Sequence, residues 1–553
     1  MIFNKLFTQY LTDKLVVSHD VANNCCKRAN EKRVPVYSQL IDDKIFDEEK
    51  IYQILADYLQ FDYRFYQLSE IDLELVEKYP RDILIQYQCI PLALKDDVLT
   101  VIGSNPFKIE ELKELLRFGG KKISFVLCPP TQTKRILDYS NNKIQQNIVL
   151  NEYVKSDIVK EEVNLATYVD APVIKLCDSI LIDAITRGAS DIHIEPFAKS
   201  VFIRFRIDGK LQKIDELSTQ MYPAILARYK IMAELNIAER RIPQDGKISL
   251  EIEKNSYDFR VSTIPTIHGE KIVIRIYNRS FVSSDIPSLG FSEKQMELVL
   301  GMISRPHGII LLTGPTGSGK STTLYTFLRY LANEDTNIVT VEDPVENEIP
   351  GINQVQVNPK ANLTFATALR SFLRQDPNII MVGEVRDEET AQIATRAAIT
   401  GHLVLSSVHT NDAAGVISRL INMGIPKYLV ADSLLGAISQ RLVRKLCPKC
   451  KKVKATSAFE MSLLNISEPA QIYEPVGCVY CNNTGYLGRI GVFEIMVLTD
   501  EIKEIIMSDE FTSDKVASVV NRDMTTVLSH TRERVLNGET SIEEYDQLID
   551  IVR

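Results

Sequence analysis

Residues 314–321 read Gly314-Pro315-Thr316-Gly317-Ser318-Gly319-Lys320-Ser321, the complete G-x-x-x-x-G-K-[ST] phosphate-binding pattern. This octapeptide dictates its surroundings. A loop whose backbone N–H groups turn inward around an anion needs a strand to deliver it and a helix N-terminus to receive it. Both are legible. The apolar run Gly308-Ile309-Ile310-Leu311-Leu312-Thr313 reads as a buried strand, and Thr322-Thr323-Leu324-Tyr325-Thr326-Phe327-Leu328 as the start of a helix. Residues Gly314 to Thr322 are therefore candidates for nucleotide contact. Lys320 is placed to reach β/γ-phosphates and Ser321 to hold Mg²⁺.

Further apolar runs at 338–341, 378–382 and 403–408 alternate with helical segments, which predicts a mostly parallel sheet with crossover helices. With 553 residues the chain has room for about three or four domains. The reading is an α/β multidomain protein: a small N-terminal α/β domain (1–140), a polar linker (141–168), a second α+β domain (169–285), the phosphate-loop domain (286–500) with a cysteine-bearing insert (446–488), and C-terminal helices (501–553). In the first domain, Asp47-Glu48-Glu49 opens a helix, and Ile90–Leu94 and Val98–Gly103 read as paired strands. In the second, a helix over 173–187 precedes strands at 191–195, 201–207, 258–262 and 271–276, with Asp208-Gly209 as a hairpin turn.

Composition narrows the classes. The chain is 45% apolar and 25% charged, with 64 Lys+Arg against 73 Asp+Glu, a formal net charge of −9. An acidic balance argues against bulk nucleic-acid binding. The start, Met1-Ile2-Phe3-Asn4-Lys5, lacks a secretory pattern, and no apolar stretch approaches the ~20 residues of a membrane span. A cytosolic location is expected, in which nine cysteines are thiols or metal ligands rather than disulfides.

A phosphate loop binds; hydrolysis also needs Mg²⁺, a group that orients water, and positive charge on the transition state. Open α/β sheets bind ligands at the carboxyl ends of their strands. There the chain places Glu342, in Glu342-Asp343-Pro344-Val345-Glu346, and Glu384, in Gly383-Glu384. Either carboxylate could hold Mg²⁺ through water or polarise the attacking water. Glu342 is the first choice for activating water and Glu384 for the Mg²⁺ shell. His402 and His409 flank the run at 403–408 and are candidates for sensing the γ-phosphate or signalling to a neighbour.

Four blocks together carry a resemblance. They are the phosphate loop; Thr340-Val341-Glu342-Asp343-Pro344-Val345-Glu346; Leu373-Arg374-Gln375-Asp376-Pro377 through Gly383-Glu384-Val385-Arg386-Asp387; and Thr400-Gly401-His402-Leu403-Val404-Leu405-Ser406-Ser407-Val408-His409-Thr410-Asn411-Asp412. Over about residues 170–500 the chain resembles the secretion ATPases of type II secretion and type IV pilus assembly (the GspE/PilB family). The resemblance implies a RecA-like ATPase core preceded by a PAS-like α+β domain. It also implies a homohexamer that spends ATP on motion, and a platform protein and docking protein of the pilus or secretion machine as partners. The location implied is peripheral, at the cytoplasmic face of the inner membrane. In that family, arginines of the second domain complete the nucleotide site; the matching positions are Arg204, Arg206, Arg241, Arg260 and Arg275, of which two or three are expected to touch phosphate and Arg206 and Arg260 to act in catalysis. A retraction motor or a nucleic-acid translocase on the same core are the alternatives.

Cys447-Pro448-Lys449-Cys450 and Cys478-Val479-Tyr480-Cys481 form two C-x-x-C knuckles, each offering two thiolates to one tetrahedral Zn²⁺. All four positions are thiolate and none is open, so the zinc is structural. Residues 441–454 carry Arg441, Arg444, Lys445, Lys449, Lys451, Lys452 and Lys454 and no acid; the run reads as a solvated face or as a contact for anionic lipid or an acidic domain. In the family, the N-terminal domain docks the motor and in some members binds cyclic di-GMP. Residues 34–45 here lack the glycines of that pattern, so a docking adaptor is the expectation.

Overall fold

A computed structural model describes residues 2–552 apart from 15, 65, 67–69, 110, 113–121, 156–170, 253–254 and 279–284. The N-terminal domain packs four helices, Ile2–Asp13, His19–Lys32, Val36–Asp42 and Glu48–Leu59, against a four-stranded sheet. Its core includes Phe7, Leu11, Leu40, Ile51, Leu55, Leu99 and Val101. Asp47 caps the fourth helix by accepting from Lys50 N at 2.8 Å, and Glu48 and Glu49 complement the dipole. The helix Pro130–Lys155 continues through 141–155, part of the stretch read from its polarity as a linker. Its one proline stands at the first position and it holds no glycine, so nothing in the backbone chemistry stops it. The remainder, 156–168, lies outside the described residues.

The second domain is a six-stranded antiparallel sheet covered by the helices Ala171–Thr186 and Tyr222–Met232. Asp208 and Gly209 have φ of 48° and 86°, the two positive values that a two-residue hairpin turn needs. Along Val201–Ile207, alternate residues Val201, Ile203, Phe205 and Ile207 are buried. Arg204 and Arg206 consequently lie on the opposite face, with Arg275 and Arg260 of the strands Gly269–Asn278 and Asn255–Thr266, which follow beyond the intervening strand Ala189–Pro196. The edge strand Gln244–Ile252 carries polar residues on most positions and was not anticipated.

The third domain is built on seven strands: Gly308–Thr313 (β1), Ile338–Glu342 (β2), Asn353–Gln356 (β3), Ile379–Val382 (β4), Leu403–Val408 (β5), Leu434–Leu446 (β6) and Tyr486–Val497 (β7). Their spatial order is β3-β2-β4-β5-β1-β6-β7. All neighbours are parallel except β7, which returns antiparallel to β6. Every residue of β1, β2, β4 and β5 is buried, as expected where crossover helices cover both faces. The cysteine insert lies between β6 and β7. The last four helices pack back on the domain, Asp500–Met507 and Ser513–Asp523 through Ile502, Ile506 and Val516, Val527–Leu536 and Ile542–Val552 through Val527 and Leu548 against Val443 and Val492. Among the described residues no helix is long and apolar enough to cross a membrane.

Candidate functional site

The phosphate loop leaves the end of β1 and enters the helix Lys320–Leu331 (α1). Gly314 must be glycine: at φ 144° a Cβ would lie 2.4 Å from the Gln440 carbonyl oxygen on β6. Gly319, at φ 88°, faces the Gln440 side chain, whose Oε1 accepts from Thr323 Oγ1 at 2.9 Å. The loop is thus seated on β6. Lys320 Nζ donates to the Gly314 and Pro315 carbonyls at 2.8 and 3.1 Å. Burial pushes its pKa down and the Glu384 carboxylate pulls it back up, so the ammonium is held over the loop in the field of the carboxylate that follows β4.

The two carboxylates stand at the ends of β2 and β4, and a third, Glu346, lies in the loop after β2. Glu384, after β4, contacts Arg386 and lies 3.4 Å from His409 Nε2. Glu342 ends β2 only 4% exposed, its carboxylate accepting from Thr340 Oγ1 at 2.6 Å, Gln354 Nε2 at 3.0 Å and the Tyr325 hydroxyl of α1. The same hydroxyl accepts from Glu346 N at 3.1 Å. Glu346 itself receives the Ser321 hydroxyl at 3.4 Å. Burial pushes the Glu346 carboxyl pKa up, while Arg260 and, more weakly, Arg275 draw it down. In the sequence Glu346 closes the block that begins at Thr340 and carries no assigned role. The signal for it was its place four residues past a strand end, in the same loop as Glu342.

The two histidines separate. His409 stands at the carboxyl end of β5 beside Glu384. His402 precedes β5, its Nδ1–H donating to the Ala397 carbonyl at 3.0 Å. Six strand residues, about 20 Å, separate it from the phosphate-loop end of the sheet. His402 is therefore a correction: ligands sit at carboxyl ends of parallel strands, and a residue preceding the run lies at the other end.

The arginines also divide. Arg260 stacks on Tyr277 with 4.5 Å to the ring centroid and donates to the Val345 carbonyl at 3.5 Å, across the domain boundary. Arg275 donates to Asp191 at 2.8 Å, and Arg206 lies 3.7 Å from the same carboxylate. Arg204 donates to Glu195 at 2.6 Å. These buried acids hold the guanidinium groups in an array on the sheet face. Arg241 is 87% exposed on the side chain and paired to Glu239, not to the acids that hold the array.

Two cations behind the loop belong to the supposed basic run. Arg441 is buried, donating to the Asn411 carbonyl at 2.8 Å, with Nη1 beside the position a Gly314 Cβ would take. Arg444 pairs with Glu544 at 2.7 Å and stacks on Tyr486 at 3.6 Å. Lys449 meets Glu49 of the N-terminal domain at 3.0 Å, Lys451 donates to the Gly538 carbonyl at 2.7 Å, and Lys454 pairs with Glu460 at 2.7 Å. The run is a solvated face only in part: β6 carries Arg441 and Arg444 to interior partners, Lys449 and Lys454 meet acids, and Lys445 and Lys452 are exposed.

The four knuckle cysteines converge, with all ligand sulfurs within 4.8 Å of one another. The Cys447–Cys478 and Cys450–Cys481 sulfurs are 3.8 Å apart and Cys478–Cys481 3.7 Å. Zn–S bonds of about 2.3 Å give a tetrahedral edge of about 3.8 Å, so the cluster fits that ion. Backbone N–H groups of Gly477 and Gly485 donate to the Cys450 and Cys481 sulfurs at 3.3 and 3.2 Å, which suits thiolates. The other five cysteines are free thiols.

Comparison with known proteins agrees with this architecture. The family described as "Type II/IV secretion system protein" matches residues 167–547, and the family described as "MshEN domain" matches residues 61–143. The chain is 38% identical over 568 aligned residues to the type IV pilus assembly ATPase PilB of Acinetobacter baylyi, covering 98% of this chain and 96% of that protein. It is 47% identical over 377 residues to the type II secretion system ATPase E of Vibrio cholerae, covering 68% and 75%. The solved structure of the Legionella pneumophila ATPase DotB shares the fold, with a TM-score of 0.52 at 22% identity over 68% of this chain and 95% of that one. The chain belongs to the type II/IV secretion system protein family, with a RecA-like ATPase domain and an N-terminal MshEN domain.

Proposed function

We propose that this secretion-family ATPase is an assembly motor, in which closure of the second domain over the phosphate loop couples ATP hydrolysis to addition of subunits to a type IV pilus or a type II secretion pseudopilus. The observation that carries the coupling is Arg260, whose contact with Val345 stands beside the Glu346–Ser321 pair. A guanidinium delivered by one domain to the phosphate end of another neutralises transition-state charge only when the two are closed. Lys320 exchanges its loop carbonyls for the β/γ-phosphates. Ser321, beside Glu346, and Glu384 at the end of β4 would hold Mg²⁺, which would supply charge neutralisation on the phosphates when bound. Glu342 takes the proton of the attacking water, and His409 orients Glu384. Arg275, Arg206 and Arg204 are held ready by Asp191 and Glu195. Zn²⁺ at Cys447, Cys450, Cys478 and Cys481 is structural.

The acting form is a homohexamer at the cytoplasmic face of the inner membrane, working on a platform protein through the N-terminal domain. Retraction is not favoured: the relatives that match over most of the chain are pilus assembly and type II secretion ATPases. Between those two, pilus assembly is preferred because the match to the pilus assembly ATPase of Acinetobacter baylyi spans 98% of the chain, N-terminal domain included. Single-turnover ATP hydrolysis and fibre assembly in cells test the reading together. Arg260→Ala should impair both while leaving nucleotide binding intact; normal hydrolysis in that variant would sink the interdomain coupling.

A further inference from the structure

The cysteine knuckles carry contacts that the metal itself does not need. The third residue of each knuckle reaches the N-terminal domain. Lys449, in Cys447-Pro448-Lys449-Cys450, pairs with Glu49 at 3.0 Å and lies 3.6 Å from Asp47. The carbonyl of Tyr480, in Cys478-Val479-Tyr480-Cys481, accepts from Arg135 Nη1 at 2.6 Å, and Asn482 Oδ1 accepts from Arg135 Nη2 at 2.9 Å. Arg135 lies on the helix Pro130–Lys155 and Glu49 in the first turn of Glu48–Leu59. Thr131 N donates to Glu48 Oε1 at 3.3 Å and ties those two helices together. Two knuckles thus grip two helix ends.

The shape of the grip depends on the sulfur cluster. Cys478 N donates to Cys481 Sγ at 3.1 Å, Asn483 N donates to the Cys478 carbonyl at 2.9 Å, and Asn482 and Asn483 take φ of 51° and 61°. That tight turn around the sulfurs presents the Tyr480 carbonyl and the Asn482 side chain to one guanidinium. The knuckles lie 27 residues apart in sequence, and a tetrahedral ion shared by both sets Lys449 and Tyr480 relative to each other. On the other side, β6 runs from Gln440 and Arg441, beneath the phosphate loop, to Leu446 and the first knuckle. That distance is six residues, about 20 Å of extended chain.

We propose that the zinc-closed knuckles are the seat of the N-terminal domain on the motor: Lys449, Tyr480 and Asn482 form the seat, Glu49, Asp47 and Arg135 the docking face, and metal loading holds the seat in shape. The seat rests on the zinc reading of the cluster, and β6 makes it continuous with the phosphate loop.

Zero-length carbodiimide coupling of the full chain, read by peptide mass spectrometry, tests this. A carboxylate 3.0 Å from an ammonium couples to an amide, so the zinc-loaded protein should give a Glu49–Lys449 cross-link; the Glu510–Lys515 pair serves as a reagent control. Stripping zinc with a chelator should lower the Glu49–Lys449 yield on the order of tenfold or more with the control unchanged, as expected for loss of several charge-assisted contacts. Arg135→Ala removes neither coupling partner nor metal ligand. It should keep its zinc, measured by atomic absorption, and lose the cross-link to a similar extent. An undiminished Glu49–Lys449 yield after zinc is stripped, or in zinc-loaded Arg135→Ala, would overturn the proposal. Absence of bound zinc in the wild-type protein would overturn the metal reading instead, and the two failures are distinguishable.

Discussion

Glu342→Gln asks where water is activated. One oxygen of the Glu342 carboxylate accepts from Thr340 and Gln354, and the other from Tyr325. Glutamine has nearly the same volume, and its amide oxygen can keep the first two bonds. Its NH₂ group then faces the Tyr325 hydroxyl and disrupts one charge-assisted hydrogen bond, a cost of about 1.5–3 kcal/mol in the fold. Unlike the carboxylate, the amide takes no proton from water. Loss of a general base costs roughly 10²–10⁴ in rate, about 3–5 kcal/mol on the barrier. Tyr325→Phe separates the two effects, since it deletes the same hydrogen bond and leaves the carboxylate. Steady-state phosphate release at saturating MgATP should fall by about a hundredfold or more in Glu342→Gln, with affinity for a fluorescent ATP analogue within about threefold of wild type. Tyr325→Phe should lower the thermal midpoint but slow turnover by no more than about tenfold. Near-normal turnover in Glu342→Gln would refute the assignment. A defect in Tyr325→Phe as deep as that in Glu342→Gln would make the carboxylate a scaffold for the Glu346 loop.

Lys320→Ala should abolish measurable turnover and weaken ATP binding by roughly a hundredfold, as expected for loss of the P-loop ammonium. Its thermal midpoint should stay close to wild type, because Pro315, one of the two residues whose carbonyls it caps, is exposed to water; a collapsed melt would mean that Lys320 holds the loop together. His530 is buried, accepts from Phe493 N at 3.1 Å, and has its pKa pushed down to about 4, by burial first and by Arg534 second. The unfolded chain therefore binds more protons than the folded one below pH 6.5, and stability should fall as pH drops from 6.5 toward 4, by about 3 kcal/mol from this group. His530→Asn should flatten that slope in melts taken at pH 7.5 and 5; an unchanged slope would place the acid sensitivity elsewhere. Cys478→Ser should reduce bound zinc to well under one ion per chain and expose residues 446–488 to limited proteolysis, while full zinc occupancy would exclude the four-thiolate site.

The phosphate loop, the strand before it and the helix after it were legible because all the information is contiguous. Eight residues specify the turn, and the flanks show their own periodicity. The same holds for the paired knuckles, whose two-residue gaps fix each pair of sulfurs within one turn, and for the Asp208-Gly209 hairpin. His402 was misplaced for a related reason: composition marks a buried strand but treats its two ends alike, and only strand direction in a parallel sheet says which end meets the nucleotide. The charge run at 441–454 was legible only in part: Lys449 does meet acids of another domain, but polarity could not show that β6 carries Arg441 and Arg444 inside to carbonyl, carboxylate and ring partners.

The sequence by itself determined that this chain carries a nucleotide-phosphate loop on an α/β sheet, acids at the ends of the following strands, and four cysteines in two knuckles. Those statements rest on interactions between residues close in the chain. Only the tertiary structure decided that Glu346 meets Ser321, that Arg260 reaches Val345 from another domain, that Asp191 and Glu195 hold the remaining arginines, and that Arg135 grips the second knuckle 345 residues away. Such contacts join groups whose separation along the chain carries no local signal. Packing of one domain face on another, and the desolvation that makes each charge find a partner, set them.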